Sequence, residues 1–335
     1  MFQFNRTIVA AGLVATISLL TGCSVNPTTG KRSLDIMSHE QEIALGAEAG
    51  PQFVTENGGE VSDSHLRAYV TEVGMKLKQH VETDEQRNLP WTFTLLNSPE
   101  INAFALPGGK VNISLALAKK MTNEAQMAGV LGHEIGHVTA RHANERMGHS
   151  VIAGVVGAVL GAVIEDPNAG QIVSVGGETL LLRFSRGEES EADALGMRYM
   201  MRAGYNPRGM RQVMEILQEA SKGSGKQPEI FSTHPYPETR IKDIDQLLAS
   251  DYVTTQNNPQ FTMGEERFRQ MFLSRAQSVQ PMDAKLFQQK KAAEVQKYQQ
   301  LHKRQSNAEQ MEDRVIDLSK PATWCAHCAT AQTEP

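Results

Sequence analysis

A chain of 335 residues can bury a substantial core, as one large domain or two small ones. Its formal charge of -5, with no basic tract longer than two or three residues, excludes a nucleic-acid partner gripped by its phosphates. Aromatic residues are only 6% of the chain, too few for a platform on which bases would stack.

The N-terminus reads as a targeting segment. MFQFNR carries the early positive charge, TIVAAGLVATISLL is an apolar run too short to span a bilayer comfortably, and Leu20-Thr21-Gly22-Cys23 follows. This is similar to a bacterial lipoprotein signal, which implies removal of residues 1–22 and lipidation of Cys23. Ser24, where an aspartate would signal inner-membrane retention, resembles outer-membrane sorting, so the mature chain would face the periplasm. Residues 23–37, NPTTGKRSLDIM at their core, are polar and turn-rich and predict a tether that lets the body stand off the membrane.

Ser38 opens a helix through a capping box, SHEQ, with Ile43, Ala44, Ala47 and Phe53 on a weak apolar face. A second amphipathic helix runs from about Asp63 to Val81. WTFTLL, Trp91 to Leu96, alternates as a strand does. INAFALPGGKVNISLALA then gives two extended runs joined at Pro107-Gly108-Gly109, and a helix starts near Asn123. A sheet edge at Asn102, Ala103, Phe104 and Ala105 would hydrogen-bond an extended peptide by strand addition. Residues 151–164, VIAGVVGAVLGAVI, fall short of a membrane span and read as a buried or membrane-grazing helix. A helical stretch from about Glu178 to Ala203 stops at Gly204-Tyr205-Asn206-Pro207. Three prolines, Pro228, Pro235 and Pro237, make the segment around His234 a stiff loop. Beyond residue 250 the chain is rich in Gln, Lys and Ala and reads as exposed helix or disordered extension, ending in WCAHC, whose Cys325 and Cys328 can pair in an oxidising compartment.

The chemistry sits in GVLGHEIGHVTARH. His133 and His137 are four apart and share one helix face, so both imidazoles can aim at one point. Zinc between them and Glu134 beside them would form a hydrolytic pair of metal and base. His142 lies nine residues past His133, about half a turn round the helix, and points away. A catalytic zinc commonly keeps three protein ligands and a water, and ligating histidines want a carboxylate on their other nitrogen. Glu189 and Asp193, four apart in FSRGEESEADALG, would supply both from one helix face.

HEIGH followed by SRxxExxxD, with NAFALPGG upstream and HPYPETR downstream, resembles the gluzincin metallopeptidases, the family of the CAAX-protein endopeptidases, HtpX and periplasmic lipoprotein-type proteases such as BepA and LoiP. The similarity covers roughly Ser38 to Ser250. It implies an α+β, mostly helical metallopeptidase domain at 38–250 with a small sheet whose edge strand lies beside the zinc helix. It implies one Zn2+ per chain on His133, His137 and Glu189, Glu134 as general base and Asp193 behind a ligand. It places His234 beside the metal, as an oxyanion donor or as a latch on the fourth coordination position. The implied substrates are unfolded or misassembled envelope proteins, with outer-membrane assembly machinery a possible partner. Two other readings remain open at this stage: an assembly chaperone with a latched or vestigial zinc site, and a thiol-redox lipoprotein run by WCAHC.

Overall fold

The computed structural model describes residues 22–148, 183–223, 227–235, 237–293, 296 and 300. The signal segment before Gly22, the run at 151–164, and Cys325 and Cys328 lie outside the described residues. Residues through Phe287 form one unit and Gln288–Pro335 a second.

The segment expected to be a free tether is a docked hairpin. β1 (Gly22–Val25) pairs antiparallel with β2 (Arg32–Asp35), and Gly30 takes the left-handed conformation in the turn, φ 68°. Asn26 is buried there. Its Oδ1 accepts from Thr28 N at 2.8 Å, while its Nδ2 donates to the carbonyls of Thr139 and Ala140 at 3.2 and 2.9 Å. The polar turn residues that suggest a solvated linker instead help to satisfy the end of a helix, where Gln86 Nε2 also donates to Thr139 O at 3.1 Å.

α1 (His39–Glu56) begins at the Ser38 capping box, and α2 (Ser64–Lys78) is capped by the Asp63 carboxylate. A short α3 (Asp84–Arg87) leads into the sheet. β3 (Thr92–Leu96), β4 (Ala103–Leu106) and β5 (Lys110–Ser114) assemble in the order β3-β5-β4, with β3 parallel and β4 antiparallel to β5. β4 is thus an edge strand, and it packs against the helix that carries His133. The alternating pattern divides the strands between two faces. Phe93, Leu95, Ala103, Val111 and Ile113 enter the main core, while Leu96, Phe104 and Leu106 meet Phe53 of α1 on the opposite face.

After α4 (Leu115–Ala118) comes α5 (Glu124–Thr139), buried over nearly its whole length and capped by Asn123 Oδ1 on Gln126 N at 2.9 Å. α6 (Arg186–Arg202) lies across it. α7 (Arg208–Gly223), the single turn α8 (Ile230–Thr233) and α9 (Pro237–Ala249) follow. Helix thus flanks His234 on both sides, contrary to the stiff-loop expectation. Pro237 is the first residue of α9, where a missing N–H costs nothing and the fixed φ suits the helix.

The body does not stop near residue 250. α10 (Glu265–Phe268) continues through a π turn (Arg269–Leu273) into α11 (Ser274–Ala276), and Tyr252, Phe268, Phe272 and Ala276 join the main core. FRQMFLSRAQ reads as exposed because polar residues are interleaved with its apolar ones. Phe268, Phe272 and Ala276 nevertheless repeat every four residues and so share one buried stripe. Among the described residues, no helix is long and apolar enough to cross a membrane.

Candidate metal centre

α5 and α6 bring the site together because small residues let their backbones touch. Gly132 faces Gly196 and Gly136 faces Ala192, so closely that a Cβ on Gly196 would stand 2.8 Å from His133 N. His133, Glu134 and His137 of α5 and Glu189 and Asp193 of α6 then converge, all buried. His234, the C-cap of α8, completes the cluster, and is itself buried.

One ligand atom from each of His133, His137, Glu189 and His234 falls within 4.8 Å of the others. His137 Nε2 is 3.0 Å from His133 Nε2, and His133 Nε2 is 3.2 Å from His234 Nδ1. Glu189 Oε1 lies 2.9 Å from His234 Nδ1 and 3.5 Å from His137 Nε2, and Oε2 lies 3.6 Å from His133 Nε2. A tetrahedron of N and O donors about 2.0 Å from its centre has edges of about 3.3 Å, so these separations bracket what one small divalent cation requires. Three imidazole nitrogens facing one another also suit a shared cation better than mutual hydrogen bonds, since each neutral ring has one proton to offer.

The surrounding charges are arranged behind the ligand atoms. Asp193 Oδ1 is 2.8 Å from His133 Nδ1. Arg240 of α9 forks onto Asp193, Nε to Oδ2 at 2.7 Å and Nη2 to Oδ1 at 2.6 Å, while its Nη1 lies 2.7 Å from Glu189 Oε2. Burial pushes both carboxyls up, but Arg240 and the neighbouring histidines outweigh it, holding Asp193 low and Glu189 well below the usual carboxylate range. Burial keeps His137 well below the ordinary imidazole value, hence neutral and able to offer a lone pair. Glu134 is the exception. Neither of its buried oxygens has a hydrogen-bond partner among the described residues, and burial raises its pKa, so it is a base in search of a proton. His234 Nε2 stands 3.7 Å from its Oε1.

The acidic neighbours of Glu189 have other employment. Glu188 closes the capping box of α6 with Ser185 and pairs with Arg146 at 2.7 Å, while Glu191 meets His142 and Lys31. The helix that carries Glu189 starts at Arg186, where Ser185 caps it, and residues 178–182 of the expected stretch lie outside the described residues.

His142 stays outside the donor set, as its spacing implies, but it does not leave the site. α5 ends at Thr139, Arg141 takes a left-handed φ of 60°, and the chain re-enters helix over 142–148 in a new direction. His142 Nδ1 thereby lies 2.8 Å from His137 Nδ1. An azimuth computed along one straight helix misses this contact because the helix breaks at Arg141.

Arg240 and Phe184, whose ring stacks on His137 at 3.9 Å between centroids, are part of the centre and were not singled out from sequence. Both stand inside quoted motifs, HPYPETR and FSRGEESEADALG, so the signal was present without a geometry to interpret it. At the sheet edge, Asn102 N donates to Ser114 Oγ at 3.1 Å and its carbonyl accepts from Ser114 N, leaving Asn102 Oδ1 buried without a partner among the described residues. Ala103, Phe104 and Ala105 continue that edge as β4. A small, partly open cleft is lined by Ala105 and Leu106 together with His137 and Phe184. Cys23 lies in β1, paired with Leu34.

Residues 64–248 match the model of peptidase family M48. The chain belongs to peptidase family M48. This makes it a metallopeptidase by family, and the histidine and glutamate cluster falls inside the matched span. The chain is 32% identical over 254 residues to the beta-barrel assembly-enhancing protease of Escherichia coli strain K12, covering 71% of this chain and 50% of that protein. It is 29% identical over 228 residues to the mitochondrial metalloendopeptidase OMA1 of Schizosaccharomyces pombe, covering 66% and 65%. It is also 29% identical over 255 residues to OMA1 of Bos taurus, covering 71% and 48%. The chain thus spans about half the length of several of the curated relatives it matches.

Proposed function

We propose that the chain is a zinc-dependent endopeptidase, with His133, His137 and Glu189 as metal ligands and Glu134 as general base. The observation that carries this is the convergence of four donor atoms within 4.8 Å beside a buried carboxylate that lacks any hydrogen-bond partner among the described residues. Bound zinc would supply a positive charge that polarises the scissile carbonyl and acidifies a water. Glu134 would accept a proton from the attacking water and return it to the leaving amine, a task suited to a carboxyl whose pKa burial has raised. Asp193 and Arg240 hold the His133 ring, and the free edge of β4 aligns an extended peptide by strand addition along Asn102 to Ala105.

His234 is assigned the role of a latch. Its Nδ1 completes the donor set and its Nε2 faces Glu134, so it takes the fourth position and shields the base at once. A four-ligand site is the closed, structural kind, and hydrolysis needs that position open.

Lipidation of Cys23 would hold the body at the periplasmic face of the outer membrane. Cys23 is three residues from Asn26, which is bonded to the end of α5, so the anchor would leave little slack between lipid and metal centre. The Escherichia coli relative is named for enhancing beta-barrel assembly, and on that footing the substrates of this chain would be β-barrel proteins of the outer membrane that are misassembled or unfolded. The same latch favours a second reading, a chaperone for such proteins that keeps its site closed. The mature chain, assayed for zinc and for digestion of an unfolded β-barrel protein beside Glu134→Gln, separates the two. Digestion by wild type and none by Glu134→Gln supports the peptidase; zinc with no digestion, even after His234→Ala, supports the chaperone; absence of zinc sinks the metal assignment.

A further inference from the structure

The two metal-facing imidazoles of α5 are held by different devices. His133 has a carboxylate on its far nitrogen, Asp193, itself gripped by Arg240. His137 has a second imidazole there. His142 Nδ1 is 2.8 Å from His137 Nδ1, its Nε2 is 3.2 Å from Glu191 Oε2, and Glu191 Oε1 is 2.8 Å from Lys31 Nζ in the N-terminal hairpin.

Only one set of protons satisfies this chain. For His137 Nε2 to offer a lone pair to the cluster, its Nδ1 must carry the proton and donate to His142 Nδ1. His142 Nδ1 must then accept, so its proton sits on Nε2 and is donated to Glu191. A carboxylate accepts there without ambiguity, and the direction of the whole row is fixed from its outer end.

The backbone is built to put His142 in that place. Arg141, at its left-handed turn, donates to Glu42 Oε2 at 3.0 Å and to Asp35 Oδ2 at 2.9 Å, and its Nη2 to Met37 O. Asn144 Oδ1 accepts from the N–H groups of Ile36 and Met37 at 3.2 and 3.1 Å, and Asn26 ties the carbonyls at the end of α5. His142 itself is 1% exposed, with its ring edge-on to His137 at 4.9 Å.

We propose that His142 is a positioning residue for His137, fixing its tautomer and ring plane, with Glu191 and the hairpin's Lys31 as the outer links. The inference rests on the metal-site reading above. The hairpin is then part of the metal centre's scaffold.

The test is zinc affinity of the full mature chain, stripped and titrated against a chromophoric chelator, with thermal melting of the metal-free protein alongside. His142→Phe keeps a flat ring but cannot accept, and is expected to weaken zinc binding by about 10 to 100-fold, as outer partners of metal ligands typically do. His142→Asn places an acceptor oxygen near the lost Nδ1 and should recover most of that loss, which a merely structural role would not produce. Glu191→Leu, at a partly exposed position, should weaken zinc in the same direction by a smaller factor, and carries the test should His142→Phe fail to fold. Unchanged zinc affinity in His142→Phe, or in Glu191→Leu where it stands in, overturns the proposal, as does an Asn variant no better than Phe. A wild-type chain that binds no zinc overturns the metal-site reading itself, a distinct result.

Discussion

Substituting Gly196 by alanine adds one methyl group between the two helices that carry the metal donors. That Cβ would stand 2.8 Å from His133 N, 2.9 Å from Gly132 C and 2.9 Å from Met210 Cε. Ordinary contact between such atoms is about 3.5–4.0 Å, so α5 and α6 would have to part locally by about 0.6–1.2 Å. Overpacking of this size costs about 1–3 kcal/mol. The gain in helix propensity from glycine to alanine offsets about 1 kcal/mol of it. The net loss is about 0–2 kcal/mol, and at about 2–4 °C per kcal/mol the melting temperature would fall by no more than about 8 °C. The metal is less forgiving, because a site tolerates ligand displacements of only about 0.2 Å. Gly196→Ala is therefore expected to fold, to melt slightly earlier, and to bind zinc at least about tenfold more weakly in chelator competition, the scale on which disturbed ligand orientation acts. Gly136→Ala, whose Cβ would meet Ala192 O at 2.9 Å, should behave alike. Gly187→Ala on the open side of α6, where nothing lies within 4 Å, should leave zinc unchanged. A Gly196→Ala protein with wild-type zinc affinity would refute the claim that helix proximity sets the ligand geometry.

Glu189→Gln should remove most of the zinc, measured by elemental analysis, whereas Glu188→Gln and Glu191→Gln should retain it, since the first is a capping residue and the second keeps an acceptor for His142; metal loss in Glu188→Gln would show that the wrong glutamate has been assigned. Arg240→Leu leaves the Asp193 and Glu189 carboxylates buried without their cation and should destabilise by about 3–5 kcal/mol in urea denaturation, while a loss below about 1 kcal/mol would mean that the fork onto Asp193 is idle. His234→Ala should raise peptidase turnover with zinc retained if the histidine is a latch; a fall of about 10² to 10³-fold would instead make it an oxyanion donor.

What was legible in the sequence was whatever a local period could carry. Asn123 and Ser38 announce helix starts through the chemistry of their caps, and His133 with His137 announce a shared face through their spacing. Glu189 and Asp193 need only one further assumption, that two helices meet. The illegible parts are those where the chain breaks its own period. Arg141 at φ 60° turns His142 back onto His137, and no azimuth computed along one helix can foresee that. Asn26 looks like a linker residue because its partners, the carbonyls of Thr139 and Ala140, are 113 and 114 residues away. Phe268 and Phe272 were masked by the polar company they keep, although their four-residue spacing was there to be counted.

The breaks in period and the ends of elements also share a location. Ser185 at the start of α6, Ala140 at the end of α5, His234 at the end of α8 and Pro237 at the start of α9 all lie within a few residues of a metal donor or its support. Helix interiors give the site its rigid half, His133, Glu134 and His137 on one buried face, where a tenth-of-an-ångström geometry can be kept. Helix ends give it the half that can be exchanged, since a cap residue such as His234 moves by changing a few dihedrals rather than by unpacking a core. His234 on the α8 cap and His133, His137 and Glu189 on α5 and α6 bring their ligand atoms within 4.8 Å of one another, so on that division of labour a donor that opens and closes is expected at the cap rather than on α5 or α6.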